Sequence, residues 1–138
     1  MLAAASVTAV AGAVGLAAAA GGSDPAGTMR LTATERAPGA AADVAVRDTP
    51  SGVEITMDTS GLPPAPKGTF YQAWVVGPGG SVAIGTFHLR GGSNEVVLWS
   101  GVGLDRYTKI TVTAQQEGGG PASSGKVLLA GEVPTTLR

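Results

Sequence analysis

From residue 29 onward, apolar side chains recur at every second position in short runs, and glycine- and proline-rich breaks separate the runs. That rhythm suits strands, whose successive side chains point to opposite faces. It does not suit helices, whose apolar stripe returns about every 3.6 residues. Each break is a turn or a short loop, too short for the helical crossover that adjacent parallel strands need. The pattern predicts a mostly antiparallel all-β domain.

The runs differ in how much of each strand they ask to be buried. In MRLTAT, residues 29 to 34, Met29, Leu31 and Ala33 share a face. In DVAVRDTPSGVEITMD, Val44 and Val46 precede the turn residues Asp48 to Gly52, after which Val53, Ile55 and Met57 alternate with Glu54, Thr56 and Asp58. This is a hairpin with one wet face. The three prolines of SGLPPAPKG, residues 60 to 68, cannot donate to a ladder, so the segment reads as a stiff crossover between two sheets, with Leu62 plugging the core.

Phe70 to Val76 and Ser81 to Leu89 flank Gly77-Pro78-Gly79-Gly80, and a third run, residues 94 to 99, follows Gly91-Gly92-Ser93. Their near-continuous apolar character predicts central strands covered on both faces, with Phe70, Tyr71, Trp74, Phe87 and Trp99 in the core. In KITVTAQ, residues 109 to 115, Ile110, Val112 and Ala114 point inward and Lys109, Thr111 and Thr113 outward. The loop EGGGPASSG then leads into KVLLAGEV, residues 126 to 133. About eight short strands at this spacing predict a β-sandwich over residues 29 to 138.

Residues 2 to 20 are of another kind. They carry no charge, and fifteen of the nineteen are Ala, Val or Leu. As a helix they would reach roughly 28 Å, close to the hydrocarbon thickness of a bilayer, so an N-terminal hydrophobic helix serving as a membrane anchor is expected. A signal peptide is the rival reading, with small residues at Ala18 to Ala20 resembling a cleavage site, but no Lys or Arg precedes Arg30 to form its basic head. The missing positive flank suggests that the chain begins inside or at the edge of a span. Residues 21 to 28, GGSDPAGT, read as a linker.

The functional classes narrow by subtraction. A formal net charge of -1 offers no surplus of cations for phosphates, so no nucleic-acid partner is expected. The absence of cysteine removes disulfides and thiolate metal sites. His88 is the sole histidine, at a strand end with no serine in a nucleophile elbow, which leaves no Ser-His-Asp set and no blue-copper site. Asp48, Asp58 and Asp105 fall in loops without the clustering of a calcium site, and Glu35 with Asp43, or Asp48 with Asp58, read as solvated carboxylates. Residues 120 to 126, GPASSGK, match G-x-x-x-x-G-K, but Val127 and a strand follow where a phosphate-binding loop needs Ser or Thr and a helix. The Gly77 to Gly80 cluster likewise reads as a hairpin turn. No enzyme, cofactor, metal or defined site residue is expected.

The string YQAWVVGPGGSVAIGTF, the approach GLPPAP, the run ITVTAQQEGG and the closing VLLAGEVP, in that order over about residues 40 to 134, resemble the C-terminal domain of anti-sigma-K factors. The resemblance implies a single-pass membrane protein whose β-rich domain lies outside the cell. A helical module gripping the sigma factor would precede residue 1. Expected partners are then a membrane protease or envelope protein, with the sigma factor reached only through that upstream module. The alternative is a secreted or anchored β-sandwich binding module unrelated to transcription.

Overall fold

A computed structural model describes residues 25–89 and 94–138. Among them are eight strands: β1 (Gly27–Ala33), β2 (Ala41–Thr49), β3 (Gly52–Ser60), β4 (Thr69–Gly77), β5 (Gly80–Phe87), β6 (Glu95–Ser100), β7 (Lys109–Gln116) and β8 (Val127–Glu132). Two short 3-10 turns, Leu104–Arg106 and Thr135–Leu137, complete the described elements. The N-terminal hydrophobic helix expected at residues 2 to 20 lies outside the described residues. Among the described residues no helix is long and apolar enough to cross a membrane. The first strand begins at Gly27, inside the stretch read as linker.

All ladders are antiparallel, and they link the strands into one sheet in the order β5-β4-β7-β8-β1-β2-β3-β6. The two-sheet sandwich predicted by the alternation gives way to a single sheet curled into a nearly closed barrel. The join is short: β1 meets β8 only through Thr32 opposite Ala130 and Ala33 opposite Leu129, extended by the Thr34 amide donating to the Leu128 carbonyl. On the other side β5 and β6 pack without a ladder. Gly85, at φ +149°, permits this approach, since a Cβ there would lie 2.8 Å from Leu98 Cδ2. The result resembles two four-stranded halves, which is why the sequence reads as a sandwich.

The inward faces follow the alternation closely. Leu31, Val44, Ile55, Met57, Ile110, Val112 and Leu129 are buried in one cluster, and Leu62 plugs it from the β3–β4 connection as expected. Burial of side chains of this size stabilises by about 1.5–3 kcal/mol each. Tyr71 and Phe87 join the cluster with ring centroids 5.6 Å apart. β5 and β6 are nonetheless edge strands, not central ones. Trp99, expected in the core, is 49% exposed and Val97 50%.

One end of the barrel gathers the start of β1, the β2–β3 and β4–β5 turns, both 3-10 turns and Arg138. There the Ala26 amide donates to Val46, and Leu137 packs on Gly27 so closely that a Cβ would collide with it. We call it the entry end. The opposite end carries the longer connections, including the β7–β8 loop.

Candidate functional site

A depression of about 660 Å³ opens at the entry end between the β4–β5 turn and the Leu104–Arg106 turn. Its walls include Gly80, Ser81, Asp105, Arg106, Tyr107 and Arg138. Gly77 lets these walls meet, because a Cβ there would strike the Arg106 carbonyl. A neighbouring depression of about 330 Å³ brings Asp48 and Asp105 to one rim, beside Leu137. Both openings present charges of mixed sign to solvent. Among the described residues no group of three or more His, Asp or Glu could hold a metal.

A second feature lies on the outer side of β4 and β7. Tyr71, Ala73 and Val75 point inward, so Phe70, Gln72 and Trp74 point outward, next to Thr111, Thr113 and Gln115 of β7. An outward tryptophan is ordinarily wet, yet Trp74 is only 6% exposed. Its indole Nε1 donates to Thr113 Oγ1 at 2.9 Å, and the Thr113 hydroxyl donates to Gln115 Oε1 at 2.9 Å. Gln115 then ties the β7–β8 loop, residues 117–126, to this face. Its Nε2 donates to the Ala122 carbonyl at 2.9 Å, and its Oε1 accepts the Ser124 amide at 2.8 Å. Ser124 Oγ adds a bond to the Ala114 carbonyl. Buried polar atoms need such partners, and here each link satisfies the next.

Tyr71 anchors the inner side of the same strand. Its hydroxyl donates to the Pro63 carbonyl at 2.6 Å, fixing the proline-rich crossover against β4. Burial pushes its pKa above the ordinary tyrosine value.

The residues singled out from sequence do not converge. His88 follows Phe87, the last residue of β5, with Nδ1 3.4 Å from the Leu89 carbonyl. Asp48 and Asp58 lie on β2 and β3, not in loops, and of the three aspartates considered for calcium only Asp48 and Asp105 share a rim. Asp43 pairs with Arg30 at 2.6 Å on the surface, and Glu35 lies in the β1–β2 connection near Gly125 and Val127. Residues 120 to 126 form the loop before β8, and no helix follows. Thr113 and Gln115 were not marked as site residues. Their signal is the polar T-x-T-x-Q face, which alone cannot be told from a solvated one.

The family model described as "Anti-sigma-K factor rskA, C-terminal" matches residues 1–127. The chain belongs to this anti-sigma-K factor C-terminal family. No curated protein and no solved structure gives a significant match. The strings that carry the resemblance in an anti-sigma-K domain meet in space: YQAW supplies Tyr71 and Trp74, GLPPAP supplies Pro63, and TVTAQ supplies Thr113 and Gln115. In this member of the family they form a clamp around β4.

Proposed function

We propose that the chain is the extracytoplasmic, membrane-anchored domain of an anti-sigma-K-type regulator of sigma-factor-dependent transcription. It acts by protein contact and by governing proteolysis near its linker, and it has no catalytic role. The family match over residues 1–127, which takes in the apolar segment as well as most of the barrel, carries this reading.

The geometry supports it with a distance argument. β1 starts at Gly27, so residues 21 to 26 separate the barrel from the apolar segment, a reach of at most about 20 Å. A protease attacking that linker would have to fit between the barrel's entry end and the bilayer. Leu137 packed on Gly27 and the Ala26–Val46 bond make the last part of the linker still less available.

The test is fractionation of the full chain from a bacterial envelope, with and without a flexible Gly/Ser spacer inserted between Asp24 and Pro25. The chain is expected in the membrane fraction, resistant to alkaline extraction, and the spacer is expected to speed release of the barrel. Recovery of a fully soluble protein with an N-terminus near Gly21 would overturn the anchored reading.

A further inference from the structure

We propose that residues 134–138 form a releasable strap over the start of β1, and that its seating decides how readily the barrel lets go of residues 26–29. The inference goes beyond the anchored-regulator reading and does not rest on it.

β1 is held unevenly along its length. Toward β2 it is paired from Gly27 through to Thr32, but toward β8 it has a ladder only at Thr32 and Ala33. β8 ends at Glu132, and the next amide, that of Val133, donates to the Thr108 carbonyl at 2.8 Å, on the β7 side. The start of β1 is therefore left with a one-sided ladder. The Thr135–Leu137 turn takes the place of the missing strand. The Leu137 side chain lies directly on Gly27, where a Cβ would stand 3.0 Å from its Cγ and 3.3 Å from its Cδ1, and from there it reaches the hydrophobic cluster.

The strap's own attachment is slight. Among the described residues, the hydrogen bonds of residues 134–138 are internal: the Leu137 amide donates to the Pro134 carbonyl at 2.9 Å and the Arg138 amide to the Thr135 carbonyl at 3.3 Å. Thr135 and Thr136 are exposed, and a depression of about 330 Å³ lies beside Leu137, toward Leu104. One aliphatic side chain, with no polar tie beyond Val133, thus seats the strap on the barrel. Segments with few buried contacts open at lower free energy than the strands they cover. Opening this one uncovers Gly27 and leaves the Ala26–Val46 bond as the bare end of a one-sided ladder. Capture of Leu137 in an apolar cleft of another protein would then loosen the chain where it enters the barrel. By linkage, pulling on that entry unseats Leu137.

The experiment is amide hydrogen exchange on the full chain, read at residues 26–29 and, for comparison, at β3 and β7. Leu137→Ala should speed exchange at residues 26–29 by at least about tenfold. Gly27→Ala should do the same by driving Leu137 off, although alanine suits a strand better than glycine does and Gly27 has no left-handed φ to preserve. In the double variant the new methyl has room, so Gly27→Ala should add nothing to Leu137→Ala. Leu128→Ala, which shortens another partly buried leucine that packs on the cluster, is the control. It should lower the urea midpoint while changing exchange at residues 26–29 by less than about twofold. The proposal is overturned by any of four results: no acceleration in Leu137→Ala, additive acceleration in the double variant, equal acceleration in Leu128→Ala, or wild-type exchange at residues 26–29 as slow as the slowest amides of β3 and β7.

Discussion

Trp74 and Trp99 both point away from the barrel interior, and the chain treats them in opposite ways. On the Trp74 face the indole, Thr113 and Gln115 are linked by hydrogen bonds, and Gln115 ties down a loop distant from Trp74 in sequence. Around Trp99 the neighbours are Glu54, Val97 and open solvent. Outward aromatic character on a strand is therefore not one signal but two. It marks either a ring that the chain buries for itself or one that it leaves half open to solvent.

The sharpest way to break this contrast is truncation of each ring. Trp74→Ala removes a nearly buried side chain and an acceptor's donor, and should cost about 3–5 kcal/mol in urea denaturation. Trp99→Ala should change stability by about 0.5 kcal/mol or less, as surface changes do. Similar losses at both positions would erase the distinction.

A finer probe is Gln115→Leu, which keeps the bulk and removes the tie. It leaves the Ser124 amide without its acceptor and the Thr113 hydroxyl with only the Gln72 carbonyl at 3.5 Å, a cost of about 1–3 kcal/mol. Amide exchange and proteolytic nicking should increase over residues 117–126 and not over β2 or β3.

Tyr71→Phe tests the inner side of the clamp. Loss of the bond to Pro63 should cost about 0.5–1.5 kcal/mol at neutral pH. Because burial raises the folded pKa of Tyr71, its contribution is fully present below the unfolded value of 10.0 and is lost as pH rises through the folded value. The wild-type chain should thus lose stability above about pH 10 more steeply than the Phe variant. The smallest effect belongs to the exposed Arg30–Asp43 pair, where Arg30→Ala should cost at most about 0.5 kcal/mol, and less in high salt.

Much of the barrel is legible in the sequence. The inward sets Met29 and Leu31, Val44 and Val46, Val53 to Met57, and Ile110 and Val112 follow directly from alternation, since a strand with one buried face leaves no other register open. Closure is not legible, because the same alternation serves a sandwich and a barrel. What decides between them is the short ladder from Thr32 and Ala33 to Leu129 and Ala130, a pairing across the length of the chain.

The coverage of the outer faces is harder still. YQAW and VVLW look alike as apolar runs, but the cover over Trp74 is tied down by a loop of glycine, serine and proline that gives no hydrophobic signal. Glu95, on the same face as Val97 and Trp99, is the residue that could have placed Trp99 outside. Asp58 opposite it points the same way, but only once the β3–β6 register is known.

Hydrogen exchange at the two indole N–H groups, followed in one sample of the full chain, tests the contrast most directly. The Trp74 indole, bonded to Thr113 beside the tied loop, should exchange at least about a hundredfold more slowly than that of Trp99, as a group that waits for local opening does. Equal rates, or a slower Trp99, would contradict the claim that the chain closes one face and leaves the other open to solvent.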